Sequence, residues 1–396
     1  MSMKNKVNKL CVIAPKYPTA QNPVYTFVDQ LVCALVDNGI ECSVISPYSI
    51  TQQMLRNTAV LPRKKKRITK NNNAFYIYSP RYISLSRSIF NIKTSMYTYK
   101  NFKNAVIQEY KKRSLQADAV YGHFIYPSGM CAADLGEMFD IPSFLAYGES
   151  SPALYNHITK SVLQEKLKKL KGIISVSSEN KRELLDMGLM ENGDMISVFP
   201  NAIDESKFFK INKNVARKRL GIDGDKFVVA FVGHFIERKG VAFLSNALNQ
   251  VEDVYSVFIG AGSEEPQCKN ILFKGRVCHE QVHIYMNAVD VFVLPTQAEG
   301  CSNAIVEAMA CGLPVISSDQ PFNDDILSTE NAIRLDVQDV EALKKAILLL
   351  RDNPALRRKM SNAALLRASS LNITQRAKNI IAFMESRMRE YKLVSG

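Results

Sequence analysis

Short apolar runs alternate with helical patterns along most of the chain. Residues 10–14 read as a buried strand. Residues 24–38 read as a helix with Phe27, Leu31 and Leu35 on one face, stopped at Gly39, and residues 42–46 as the next strand. Further strands are predicted at 118–122, 143–147 and 173–177. Helices are predicted at 128–139 and 178–187, the second ended by Gly188. A second series begins after Pro200, with strands at 226–232, 255–259, 271–273, 289–294 and 314–317. Its helices are predicted at 241–250, 279–288 and 303–311, and residues 340–391 are almost all helical. Strand–helix alternation of this kind predicts parallel sheets covered on both faces. Two series with a linker near 186–204 predict two domains. Ligands are expected at the carboxyl ends of the strands, in the cleft between the domains.

A length of 396 residues suits two or three domains. The 46% apolar and 22% charged residues belong to an ordinary globular chain, not to a disordered tail or a collagen-like repeat. No run of 18 apolar residues offers a bilayer-spanning helix. Residues 1–14 lack the core and cleavage site of a signal peptide, so a cytoplasmic protein is expected. Eight scattered cysteines without a CxxC pair read as reduced thiols. Cys268, Cys278, His279 and His283 match no common zinc-finger spacing.

Charge changes the picture in one place. The chain carries 51 Lys/Arg against 38 Asp/Glu, a net +13. Residues 56–113 alone hold fifteen Lys/Arg and one acid, Glu109, so the other 338 residues sum to about −1. This stretch opens with Arg63, Lys64, Lys65, Lys66 and Arg67 and contains Phe75, Tyr76, Tyr78, Tyr82, Phe90, Tyr97 and Tyr99. A basic, aromatic-rich segment suits a polyanion: anionic headgroups, nucleic acid or a phosphorylated substrate, with a solvated surface as the plain alternative. Neither series shows a recognised nucleic-acid module, so an anionic membrane surface is the expected partner and nucleic acid is not.

The segment LPTQAEGCSNAIVEAMACGLP, residues 294–314, is the richest in chemistry. A buried strand ends at Pro295, a loop carries Glu299 and Gly300, and a helix begins near Ser302 or Asn303, either of which could cap it. The helix N-terminus aims free N–H groups at the strand end, an arrangement suited to anions. Glu299 and Glu307 would be roughly 12 Å apart if both were helical. They read as separate hydroxyl acceptors, one for a sugar and one for a ribose, not as a close acid/base pair. A second strand end, Val232-Gly233-His234-Phe235-Ile236-Glu237-Arg238-Lys239-Gly240, puts Lys239 where a helix starts and where a cation favours a diphosphate. A third, Phe273-Lys274-Gly275-Arg276-Val277, offers a place for a base.

Taken together, VGHFIERKG, EGCSNAIVEAMACGLPVISSD and the helical tail resemble glycosyltransferase family 4. The resemblance is strongest from Pro200 to Asp319. It implies the α/β GT-B fold: two Rossmann-like, doubly wound parallel-sheet domains facing a cleft, with a C-terminal helix crossing back to the first. The implied division is an acceptor-binding domain at 1–190, a nucleotide-sugar domain at 200–370 and a returning helix at 371–396. It implies that Glu299 contacts the transferred sugar, Glu307 the ribose and Lys239 the diphosphate. The backbone at Gly300, Cys301, Ser302 and Asn303, together with Gly233, His234 and Arg238, would hold sugar and phosphates, and Val277 would meet the base. In the first half, the stretch around His123 resembles the segment whose histidine reaches the sugar, and Gly148-Glu149 the loop after the next strand. Asn22 and Glu149 would lie on the acceptor side.

Three departures stand out. His234 occupies a position where the family usually has Arg, which shifts diphosphate neutralisation toward Lys239 and Arg238. The first strand–helix loop, Gln21-Asn22-Pro23, lacks the usual glycines, and Ala202 replaces a usual glycine in the interdomain turn. The resemblance implies retention of anomeric configuration and transfer to a lipid-linked or oligosaccharide acceptor of a cell-surface polysaccharide, at the inner membrane face. No acidic cluster offers an octahedral Mg²⁺ cage, so no metal or other cofactor is expected. A nucleotide-sugar epimerase of similar fold and a non-catalytic membrane scaffold are the rival readings. A pyridoxal phosphorylase needs a much longer chain. A dinucleotide oxidoreductase would need a third glycine at 265, which is Glu.

Overall fold

The computed structural model describes residues 6–19, 24–56, 60–85, 88–89, 92–150 and 157–395. The chain divides into two compact units, residues 1–199 with 374–396, and residues 200–373.

In the first unit the principal elements are β1 (Lys9–Ile13), α1 (Thr26–Asp37), β2 (Glu41–Ile45), α2 (Ile50–Arg56), β3 (Lys64–Ile68), β4 (Ala74–Tyr78) and α3 (Ser95–Lys112). They are followed by β5 (Ala119–His123), α4 (Met130–Phe139), β6 (Ser143–Tyr147), α5 (Lys160–Leu167), β7 (Gly172–Ser175), α6 (Ser178–Asp186) and β8 (Ile196–Val198). Eight strands order as β8-β7-β6-β5-β1-β2-β4-β3. All pair in parallel except β3 with β4. The inner strands are apolar on both faces because helices cover both; Leu10, Cys11, Val12 and Ile13 are buried. On α1, Val28, Leu31, Val32 and Leu35 form the buried stripe of a 3.6-residue period.

Much of the basic stretch is ordinary fold. Lys64–Ile68 is an edge strand, held by β4, whose Phe75 and Ile77 are buried. Lysines on such an edge discourage pairing with another chain. Helix α3 buries Tyr99, Phe102 and Tyr110. Two parts of the sequence reading are therefore corrected. Phe75, Tyr78 and Tyr99 are core residues and are not available to headgroups, whereas Tyr76 and Tyr97 are exposed; Phe90 lies outside the described residues. Arg67 is no free surface cation, since its Nε and Nη2 donate to the two carboxylate oxygens of Asp29 at 3.0 and 2.9 Å. Arg63, Lys64, Lys65 and Lys66 remain exposed, with Lys64 Nζ 3.9 Å from the Tyr76 ring centroid.

The second unit contains α7 (Lys213–Leu220), β9 (Phe227–Val232), α8 (Val241–Asn249), β10 (Val254–Ile259), β11 (Ile271–Gly275), α9 (His279–Ala288) and β12 (Val291–Leu294). It continues with α10 (Asn303–Ala310), β13 (Val315–Ser318), β14 (Ala332–Leu335), α11 (Val340–Asp352) and α12 (Pro354–Ser369). Its sheet is wholly parallel, in the order β11-β10-β9-β12-β13-β14. The last helix, α13 (Ile373–Ser395), packs on the first unit. Arg387 Nε donates to the Lys171 carbonyl at 3.1 Å, and the Phe383 ring meets Phe144 at 6.4 Å. No helix among the described residues is long and apolar enough to cross a membrane.

Candidate active site

In each sheet the strand order reverses direction once: between β1 and β5 in the first unit, and between β9 and β12 in the second. A doubly wound sheet opens a crevice at such a switch point, outside the carboxyl ends of the strands.

In the second unit this crevice is built by the loops after β9 and β12. The first runs through Gly233 and an exposed His234 to a 3₁₀ turn, Glu237–Lys239. Gly240 follows at φ +73°, and a Cβ there would collide with the Pro295 carbonyl. Only glycine lets the two loops approach this closely. The Gln297 N–H donating to the Arg238 carbonyl at 2.8 Å then locks them together. The result places Lys239 Nζ on Glu299 Oε1, with Thr296 Oγ1 donating to the same oxygen at 3.1 Å and Arg238 Nη1 3.7 Å from Oε2. Lys239 and Glu299 side chains are 13% and 11% exposed, so the pair is shielded and still open on one side.

Gly300 and Cys301 lead into α10, and the Cys301 carbonyl accepts from Asn201 Nδ2 at 3.0 Å. Ser302 occupies the N-cap position, but its side chain caps nothing, contrary to the expected capping role. The first-turn N–H groups are thus left for another acceptor. Glu307 lies farther along α10, with Oε1 3.0 Å from His279 Nε2, and His279 is the first residue of α9. Glu307 also loads the imidazole. Burial would lower the His279 pKa, but the hydrogen bond and charge of Glu307 outweigh burial and hold it above the ordinary value. Half-buried Val277 lies two residues before α9. At the carboxyl ends of β12, β13 and β14 a polar cavity of about 580 Å³ is lined by Gln297, Ser318, Asp319, Gln320, Asp336 and Gln338.

Sequence reasoning missed Thr296 and the pairing of His279 with Glu307. The spacing of 28 residues between these two carries no periodic signal, and His279 drew notice only for its thiol neighbours. His279 bonds Glu307, and His283 Nε2 lies 2.7 Å from the Phe209 carbonyl.

The first unit's switch point is closed differently. His123 ends β5, is 4% exposed, and its Nε2 has no hydrogen-bond partner. Burial, with Arg376 adding to it, lowers its pKa to about 3, so the ring is neutral. Glu149 is 5% exposed; its Oε1 accepts from the Ile125 N–H at 2.8 Å and its Oε2 from the Gly148 N–H at 3.0 Å. Asn22 lies outside the described residues.

Residues 212–367 match the family model of glycosyl transferases group 1. This segment is therefore similar to the group 1 glycosyl transferases. It contains Lys239, Glu299 and Glu307. A glycosyltransferase assigned to teichuronic acid biosynthesis, TuaC of Bacillus subtilis, is 28% identical over 86% of this chain and 88% of its own. Sucrose-phosphate synthase from Thermosynechococcus elongatus superposes with a TM-score of 0.76 at 19% identity, covering 98% of this chain and 100% of that one. Anabaena HepE in complex with UDP superposes at 0.71 and 15% identity, covering 96% and 100%. The fold is GT-B.

Proposed function

We propose that the protein is a retaining family 4 glycosyltransferase that moves a sugar from a nucleotide diphosphate donor to a bacterial cell-surface polysaccharide, with the donor held in the second unit and the acceptor in the first. The observation that carries the reading is the meeting of Lys239, Arg238 and Glu299 beside the uncapped start of α10, at a switch point within the segment similar to the group 1 glycosyl transferases.

Breaking the anomeric C–O bond develops positive charge on the sugar and negative charge on the departing diphosphate. Lys239, Arg238 and the first-turn N–H groups of α10 are aimed where the phosphate charge collects, the largest single contribution such a site can make. Glu299 is the acceptor for a sugar hydroxyl. Its present bond to Lys239 is one the donor would replace, with diphosphate taking the ammonium and a hydroxyl taking the carboxylate. Glu307 accepts from the ribose, and the backbone near Val277 meets the base. Neutral His123 suits a sugar hydroxyl, not a charged group. With cationic side chains and helix N–H groups on the diphosphate, transfer proceeds without a divalent metal.

UDP is the favoured nucleotide, supported by the HepE complex, and a cell-surface glycan the favoured product, supported by the name of TuaC. A lipid-linked acceptor at the inner membrane face is supported by the exposed cations Arg63, Lys64, Lys65 and Lys66. The test is a panel of UDP-, GDP- and ADP-sugars incubated with the full chain, with and without lipid-diphosphate sugar acceptors, in EDTA. Acceptor-dependent release of one nucleoside diphosphate, with an α-linked product from an α-linked donor, is expected. Turnover only after Mg²⁺ or Mn²⁺ is added, epimerised donor without transfer, or no donor turnover with any acceptor would overturn the reading.

A further inference from the structure

His279 holds one oxygen of Glu307 and leaves the other open. Its Nε2 lies 3.0 Å from Oε1, its ring meets the buried Phe208 edge-on at 5.1 Å between centroids, and its side chain is 25% exposed. Among the described residues no other side chain or N–H donates to the Glu307 carboxylate. A carboxylate can accept at both oxygens, so Oε2 keeps its full capacity for two hydroxyl donors. We infer that His279 is a positioning residue of the nucleotide subsite, clamping Glu307 so that Oε2 is presented to a ribose diol. This rests on the proposed role of Glu307 and extends it to a residue that contacts no ligand in that proposal.

Ordering a glutamate costs rotamer freedom, and a clamp formed before the ligand arrives removes that cost from binding. The clamp is also electrical. Charged groups face His279 from three directions: Glu307 on α10, Glu280 on its own helix, and Lys207 in the segment before α7. The thiol of Cys278 flanks it in sequence. The carboxylates outweigh Lys207 and burial, so the imidazole keeps its proton above its ordinary range. With the proton on, the His279–Glu307 pair is neutral overall. With the proton lost, the pair carries a net negative charge next to an anionic nucleotide, so affinity declines as pH rises through the raised value.

Calorimetry with UDP, GDP and ADP as probes on the full chain, from pH 7 to pH 9.5 where the phosphates are already ionised, tests this. His279→Ala should weaken the tightest probe about tenfold at pH 7, the scale of one charge-assisted hydrogen bond. His279→Gln can donate to Glu307 but cannot titrate. It should stay within about threefold of wild type at pH 7 and lose the decline with pH. Adding His279→Ala to Glu307→Gln should cost nothing further. If His279→Ala proves too unstable, the flat profile of His279→Gln decides. Wild-type affinity and pH profile in both His279 variants, with Glu307→Gln weakened, would overturn the clamp alone. Unchanged affinity in Glu307→Gln would overturn the ribose role and the clamp with it.

Discussion

The two switch points of this molecule are built on the same sheet plan and finished with opposite chemistry. In the first unit, Glu149 is fixed by the N–H groups of Ile125 and Gly148, and His123 is buried as a neutral ring. Backbone donors cannot move away without moving the loop. In the second unit, Glu299 and Glu307 are held by the ends of side chains, Lys239, Arg238, Thr296 and His279. Those partners swing on single bonds and can be exchanged for a ligand's hydroxyls and phosphates. A group locked by backbone shapes a pocket, and a group held by an opposite charge is ready to trade that charge. Under the proposed function, scaffolding falls to Glu149 and ligand exchange to Glu299 and Glu307.

The largest effect is expected from Lys239→Ala. Loss of a cation from the leaving group should lower kcat about 10²-fold to 10³-fold with little change in melting temperature. Near-native turnover would remove Lys239 from the chemistry. Next comes replacing Lys64, Lys65 and Lys66 by glutamine. At about 1 kcal/mol for each cation near an anionic surface, binding to phosphatidylglycerol vesicles in a sedimentation assay should fall about 10²-fold, and wild-type binding should weaken with salt. Arg67→Gln should instead lower stability, because that side chain ties β3 to Asp29 on α1. Equal pelleting of wild type with neutral vesicles would leave the lysines as edge protection only.

Glu149→Ala probes the first switch point. It leaves two N–H groups without their acceptor, at roughly 1–3 kcal/mol each, so the midpoint of denaturant unfolding should drop clearly. Affinity for nucleoside diphosphate should stay unchanged; weakened nucleotide binding in a folded variant would count against the division of roles. The smallest effect is expected at His123. Its folded pKa of about 3 lies below the ordinary histidine value, so its contribution to stability is full above that ordinary value and is lost as pH falls toward 3. Between pH 6.5 and pH 4 the wild-type melting temperature should fall more than that of His123→Gln. Parallel curves would mean the ring is not buried as a neutral group.

The sequence makes the sheet plan readable because inner parallel strands are apolar on both faces: residues 143–147 and 279–288 are a strand and a helix with the predicted bounds. The turn at Gly240 and the loop from Pro295 to Ser302 were readable for the same reason, as breaks between strongly periodic segments. What the sequence hides is contact between distant side chains. Nothing local says that Arg67 reaches Asp29, that Lys239 rests on Glu299 sixty residues away, or that His279 meets Glu307. Charge counting failed in a related way. It saw fifteen cations but not that a buried helix face and an edge strand absorb several aromatics and one arginine among them.

Backbone hydrogen exchange of the full chain, with and without a saturating nucleoside diphosphate, tests the central contrast most directly. Residues 233–240 and 296–307 of the second unit should gain protection, while residues 121–129 and 148–150 of the first unit exchange as before. Protection confined to the first unit, or none at 233–240 and 296–307 under saturation, would contradict the assignment of ligand exchange to the second switch point.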